Sequence, residues 1–263
     1  MGSAVREYFA ELWSYRHFWT QLVRNDLQKR YRRSLLGVGW SLLQPLAMTC
    51  VLALVYTRVL QVDFLQFAPL LLSGLAFWGL IHASCIQGCS CFLLGEAFIR
   101  QQPIPTIIFP LRVVLTSGFH FLIAFSVAIA FVIVTQLRLS PALLSLVPTL
   151  ALLFLFAWAL AILCAYSHIY FPDTQHLMEV GLQVLFYLTP IIYPRSLLEQ
   201  NGLWFVLEFN PLALFLQLLR EPLMEGTLPS LLLYGKVLLF VSPVVALATT
   251  VVARLERRLI FAM

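Results

Sequence analysis

An all-α protein threaded repeatedly through a membrane is the fold this sequence predicts, and three observations predict it. Of its 263 residues, 61% are hydrophobic and only 11% charged, against roughly a quarter charged in a soluble domain. The chain therefore lacks the polar groups to cover itself with a water-facing surface. Five apolar runs, 35–60, 67–92, 113–136, 143–171 and 232–253, each reach the ~20 residues a helix needs to cross a bilayer. The charges, finally, gather at the ends of these runs rather than within them. No stretch remains for a separate soluble domain, so 1–263 reads as a single transmembrane domain.

The first element precedes the spans. Val5, Tyr8, Phe9, Leu12, Trp13, Tyr15, Trp19, Leu22 and Val23 recur at helical i, i+3, i+4 spacing, with Arg6, Glu7, Glu11, Arg16, Gln21 and Arg24 largely opposite. A basic amphipathic helix with tryptophans on its apolar side lies in the membrane interface plane, either as an anchor or as a surface for a partner. It reads as an interface helix rather than a cleavable signal peptide. The chain then runs through NDLQKRYRRSLLGVGWSLLQP (25–45), where Lys29, Arg30, Arg32 and Arg33 stand directly against the first span. The cluster pins the start of that span at the membrane surface.

A sixth apolar run, 177–193, is shorter and ends in TPIIYP, with Pro190 and Pro194 breaking its outer end. Six spans put both termini on one side, and the positive-inside rule makes that side cytoplasmic. Twelve Lys and Arg residues then lie inside (Arg6, Arg16, Arg24, Lys29, Arg30, Arg32, Arg33, Arg100, Arg112, Arg254, Arg257, Arg258) and five outside (Arg58, Arg138, Arg195, Arg220, Lys236).

Two connections do not behave as plain loops. In GEAFIRQQPIPTIIFPLR (95–112), Pro103, Pro105 and Pro110 preclude a long regular helix, yet Phe98, Ile99, Ile104, Ile107, Ile108 and Phe109 make the segment apolar. An exposed cytoplasmic loop of that kind wants a partner surface or the membrane interface. The external connection, 194–231, contains LWFVLEF (203–209) and NPLALFLQLL (210–219), each apolar and too short to span. Asn210 as N-cap with Pro211 at the first helical position starts a helix there. Pieces of this length fit re-entrant or interfacial helices, and such backbone is tolerated at membrane depth only where protein or a water-filled cavity surrounds it. That points to a gated pathway.

Several chemistries are disfavoured. No Asp or Glu falls in the middle of a span, where ion-coupled transporters carry them. The pattern GxxxxGK[ST] is missing, so uphill transport would draw its energy from another polypeptide. Cys50, Cys85, Cys89, Cys91 and Cys164 fall in or beside apolar runs and read as small buried hydrophobes rather than zinc ligands. His82 and His120 read as packing residues. The net charge of +5 sits at span ends, where it meets lipid rather than nucleic acid. Asp173 and His176, in FPDTQHLME, are the nearest approach to an acid–base pair, and a membrane-embedded glycosyl- or acyltransferase would have to use them.

The order of an amphipathic helix, RNDLQKRYRRSLLGVGWSLLQPL, a Pro-rich first cytoplasmic loop, FYLTPIIYP (186–194) and NPL (210–212) resembles the permease subunit of bacterial ABC-2 exporters. The resemblance runs over essentially the whole chain and is to the branch that moves lipid-linked O-antigen, capsule or teichoic acid. It implies a homodimer in the inner membrane, bound to two ATP-binding subunits that carry ATP and Mg. A glycan on an undecaprenyl-type lipid would pass between the two permeases. By resemblance, 95–112 is the coupling segment, with Glu96, Phe98, Ile99, Arg100, Pro103, Ile104 and Pro105 meeting the ATPase. Lys29, Arg30, Arg32 and Arg33 would attract the lipid diphosphate as an alternative to simple anchoring. Trp204, Phe205, Asn210, Pro211 and Phe215 would belong to the external gate. Sugars are held by aromatic faces and hydroxyl or amide groups, which nominates Trp40, Tyr56, Phe77, Trp78, Phe186, Tyr187 and Tyr193 for the path. The coupling segment lacks the charges that relatives carry near Gln101, Gln102 and Thr106. An ABC-2 permease for a drug or another lipid is the runner-up.

Overall fold

The computed structural model describes residues 10–32, 34, 37–61, 63–101, 104–136 and 140–262. Val5, Arg6, Glu7, Tyr8, Phe9, Arg33, Gln102, Pro103 and Arg138 lie outside the described residues. Among those described, a helical stretch at 10–14 is followed by ten α-helices: α1 (Arg16–Tyr31), α2 (Trp40–Leu60), α3 (Phe64–Gln101), α4 (Ile108–Gln136), α5 (Leu146–Tyr170), α6 (Thr174–Leu188), α7 (Arg195–Gln200), α8 (Trp204–Phe209), α9 (Pro211–Arg220) and α10 (Leu231–Ala262). A 3₁₀ turn, Pro141–Ser145, leads into α5, and a π turn, Glu221–Glu225, closes α9.

Five of these, α2, α3, α4, α5 and α10, are long and apolar enough to cross a membrane. The sixth expected span is not. The helix over 177–193 is instead α6, which ends at Leu188 after 15 residues, about 22 Å at 1.5 Å per residue against a hydrocarbon core of ~30 Å. The chain nonetheless traverses the bundle here, because α5 and α10 run parallel. Near their first turns Tyr234 donates to the Ser145 carbonyl at 2.9 Å, and near their last turns Thr106 bonds both Tyr166 and Glu256. Residues 171–230 must therefore pass from one end to the other.

The connection expected as the first cytoplasmic loop also differs from expectation. α3 continues unbroken to Gln101, 38 residues in all, and α4 begins at Ile108 with Pro110 in its first turn, where the missing N–H costs nothing. The prolines thus confine the irregular backbone to a turn around 104–107 instead of opening an 18-residue loop. α3 is the central helix, packed on α2, α4, α5 and α6. α2 is the most exposed span, closed by Gln61 in a left-handed conformation.

Candidate functional site

The two ends of the bundle are built differently, and each holds expected site residues. At the end where α1 and the last turns of α10 meet, the 104–107 turn is set into a core of this chain's own. Ile99, Ile104, Ile107, Ile108 and Phe109 are all under 8% exposed, packed with Phe92, Tyr166, Val252 and Leu22. Phe92 stands edge-on to both Phe109 (6.4 Å) and Tyr166 (5.0 Å). Gly95 makes room for the Phe109 ring, since a Cβ there would fall 2.4 Å from it.

Polar contacts fix the same turn. The Thr106 N–H and hydroxyl donate to one Glu256 carboxylate oxygen at 2.8 and 2.9 Å, and the Tyr166 hydroxyl lies 2.7 Å from that of Thr106. Trp158 donates its indole N–H to the Ile107 carbonyl at 3.4 Å. Arg112, at the start of α4, clasps Asp26 of α1 through both carboxylate oxygens, the fork-to-fork geometry that makes Arg–carboxylate pairs specific. Phe18 of α1 meets Phe98 of α3 edge to face at 5.6 Å.

This corrects the reading of 95–112 as an apolar loop in want of an outside surface. Ile99, Ile104 and Pro105 are covered by the chain itself. What stays open at the edge is Phe98, 41% exposed, with Arg100 and Gln101 exposed and Glu96 half-buried; Arg100 pairs with Glu96 at 2.7 Å. Residues 10–14 and α1 are helical with a turn at Tyr15 between them. Leu12 and Leu22 are buried, but Trp13, expected on the apolar side, is 65% exposed beneath the Arg16 guanidinium. Lys29, Arg30 and Arg32 are exposed; Lys29 and Arg30 occupy the last turn of α1, where cations suit the helix dipole. Arg30, Asp26, Arg112 and Gln87 line a cleft of about 280 Å³.

At the opposite end, sequence explains how α6 breaks. A helix continuing past Leu188 would have Pro194 opposite the carbonyl of Pro190, and proline has no N–H to give. The backbone turns away at 189–194, and several of the freed carbonyls find other donors, as buried backbone requires. Tyr193 donates to the Tyr187 carbonyl at 2.7 Å. Arg220, from the far end of α9, donates to the carbonyls of Pro190 (2.6 Å) and Ile191 (3.0 Å), and to that of Leu70 in α3 (2.9 Å). Asn210 caps α9 by accepting from the Leu212 N–H at 2.9 Å, with Pro211 following as the sequence implies. Its amide also donates to the Thr189 hydroxyl at 2.9 Å. The two ends of NPLALFLQLLR thus converge on TPI, so two motifs 20 residues apart in sequence form one device.

A cleft of about 620 Å³ opens beside it, lined by Gln66, Leu70, Arg195, Gln217, Arg220 and Glu221 among others. Lys236 of α10 reaches Glu208 of α8 at 2.5 Å. Trp204 and Phe205 are exposed, whereas Phe215 is fully buried against Phe156 and is a core residue in this conformation rather than a lining one. The aromatics expected along a path divide similarly. Trp40 and Tyr187 are more than half exposed, and Phe77 is wholly buried, which removes it from any surface. Trp78 and Phe186 pack edge to face at 5.3 Å, and Tyr56 sits against Phe67.

Sequence reasoning missed Arg220, counted only as an external charge, and Glu256, not singled out at all. Arg220 carried one usable signal: a cation at the end of an apolar ten-residue helix that is otherwise buried. Of the alternative acid–base pair, Asp173 is exposed and His176 turns to Glu179 at 3.5 Å. Cys85, Cys89, Cys91 and Cys164 are buried thiols, while Cys50 is exposed.

Comparison with known proteins adds an independent finding. Residues 17–224 match the ABC-2 type transporter family. Two Klebsiella pneumoniae proteins named O-antigen export system permease protein RfbA are 28% and 26% identical over 208 residues, covering 79% of this chain and 80% of each relative. A Myxococcus xanthus protein of the same name is 28% identical over 222 residues, 83% of this chain and 85% of the relative. The family match includes both the 104–107 turn and the break with its α9 partner.

Proposed function

The chain belongs to the ABC-2 type transporter family, and from that membership we propose that it is the permease subunit of an exporter moving lipid-linked polysaccharide across a bacterial inner membrane. ATP, with Mg, is hydrolysed on a separate subunit, two copies of which serve a permease homodimer. Both termini lie in the cytoplasm. The names of the three relatives support a glycan cargo. One structural observation carries the transport reading: α6 stops short of a full crossing, and the passage continues through the irregular backbone of 189–194 and the short helices α7 to α9, beside a cleft of about 620 Å³. Irregular backbone at membrane depth survives only against protein or a water-filled cavity.

In this reading the ATPase rests on the exposed rim of the coupling turn, formed by Glu96, Phe98 and Arg100. Ile99, Ile104 and Pro105, buried in the turn's own core, hold that rim in place. Lys29, Arg30 and Arg32 meet an anionic diphosphate headgroup or anionic lipid. Trp40, Tyr56, Trp78, Phe186, Tyr187 and Tyr193 are the aromatics open to a glycan, with Trp204 and Phe205 near the exit. The exposed face of α2 is free for a second permease or for lipid.

Co-purification tests it. Expressed with its neighbouring ATP-binding protein and solubilised in detergent, the chain is expected to leave the column as a complex that hydrolyses ATP. Phe98→Asp and Arg100→Glu alter exposed side chains and are expected to abolish that complex while leaving the permease folded. Failure of the unaltered chain to bind any ATP-binding protein would sink the proposal.

A further inference from the structure

Arg220, at the end of α9, is bound by backbone rather than by a carboxylate. None of the ion pairs among the described residues includes it; its partners are the three carbonyls of Pro190, Ile191 and Leu70. Its Nε is buried with no partner among the described residues. Leu70 and Gly74, which it meets on α3, are the seventh and eleventh residues of that helix, roughly 10–15 Å from its start at 1.5 Å per residue. Arg220 is half-buried at the edge of the cleft, and the desolvation of its buried Nε side is offset by the carbonyls it holds.

The seat for it is built into α3. A Cβ on Gly74 would stand 2.7 Å from the Arg220 Nη2 and 2.7 Å from the Ile191 carbonyl oxygen. The neighbouring positions of α3 tolerate larger residues, Ser73 and Leu75 among them. Only the lack of a side chain at residue 74 lets α3, the break and the guanidinium come together. The break supplies the other half, since Pro190 and Pro194, four residues apart, leave a carbonyl that the α6 backbone cannot satisfy.

We propose that Arg220 is the positioning residue of the outer gate: its fork, seated by Gly74, clamps the broken end of α6 and the C-terminal end of α9 onto α3, and opening the gate means withdrawing it. This rests on the transport reading only for the word gate; the clamp itself stands on geometry. A lysine cannot replace it, because one compact ammonium lacks the planar fork that reaches carbonyls on two elements at once. Asn210 holds the other end of α9 to the same break but makes no bond to α3, so it alone leaves the break free to move away.

The test is a reporter cysteine, Ile192→Cys, placed within the break in the full chain with exposed Cys50 replaced by Ser. Membranes are treated with a membrane-impermeant maleimide. Slow labelling is expected with Arg220 present. Arg220→Lys and, separately, Gly74→Ala are expected to speed it by about tenfold or more, the equilibrium equivalent of one lost charge-assisted hydrogen bond. Labelling of Gln101→Cys at the other end of the bundle should not change. Gly74→Ala keeps the arginine and distinguishes loss of the clamp from loss of a charge. Rates unchanged in both variants would overturn the proposal, as would Arg220→Lys labelling like the parent while only Gly74→Ala labels fast. Faster labelling in both variants supports the clamp whatever the co-purification gives. A chain that binds no ATPase yet labels this way refutes the transport reading and leaves the clamp standing.

Discussion

The two ends of this bundle solve the same problem, an irregular stretch of backbone inside an apolar protein, in opposite ways. At the end proposed to face the cytoplasm, called the inner end, the 104–107 turn is surrounded by side chains and its polar groups are matched by carboxylates: Glu256 takes Thr106, and Asp26 takes Arg112. At the opposite end, called the outer end, Asn210 ties the break at 189–194 to the start of α9, and one arginine on bare carbonyls ties it to α3, beside a cleft. The first arrangement is redundant, so losing one contact leaves others. In the second, the tie to α3 depends on a single side chain that can withdraw without leaving a buried carboxylate behind. In the proposed exporter, stiffness would belong to the end that meets the ATPase, and give to the end through which cargo would leave.

The comparison breaks most directly at Phe109. Truncating a buried aromatic to alanine costs about 3–5 kcal/mol, and this ring joins α3 at Gly95 to Phe92. Phe109→Ala is expected to lower the unfolding midpoint in detergent more than any change at the outer end. A shift no larger than that of Asn210→Ala would mean the inner end is not the stiffer one.

Asp26→Ala comes next. Removing one partner of a fully buried ion pair costs about 3–5 kcal/mol, but this pair keeps 16% and 22% of its side-chain surface exposed, so a loss of about 2 kcal/mol is expected. The exchange Asp26→Arg with Arg112→Asp should recover part of the loss in the same melt. No recovery would assign the effect to packing of α1 rather than to its charge.

Asn210→Ala removes an N-cap, about 1 kcal/mol, and also the bond to Thr189. A small drop in midpoint is expected, with maleimide labelling at Ile192→Cys rising less than in Arg220→Lys. Equal rises would divide the clamp between the two ends of α9.

How much of this was legible in the sequence follows from the range of the interactions. The spans showed in their composition, because apolarity over 20 residues is a local property. So did the start of α9, since Asn210 and Pro211 act within one turn, and the break, since proline blocks its own backbone. The length of α6 was overread because Thr189, Ile191 and Ile192 are as apolar as a span, though not helical. The burial of Ile99, Ile104 and Phe109 was not legible, because apolar residues in a short turn look alike whether their cover is another protein or α5 and α10 of the same chain. Arg220 and Glu256 were missed for the same reason: their partners lie 29 to 150 residues away, and no periodicity encodes that.

The smallest expected effect sharpens the comparison most. Lys236 and Glu208 bridge α10 and α8 at 2.5 Å, yet both side chains are over a third exposed (37% and 36%), and pairs so open contribute at most about 1 kcal/mol. If the outer end hangs on Arg220 alone, Lys236→Ala should shift the melting midpoint barely at all. It should also leave labelling at Ile192→Cys at the parent rate, because the pair bridges α8 and α10 rather than the break and α3. A labelling rate that approaches that of Arg220→Lys would mean the gate is held around its whole perimeter. The contrast between a redundant inner end and a singly clamped outer end would then give way to two ends of equal stiffness, with opening requiring α10 to move as well.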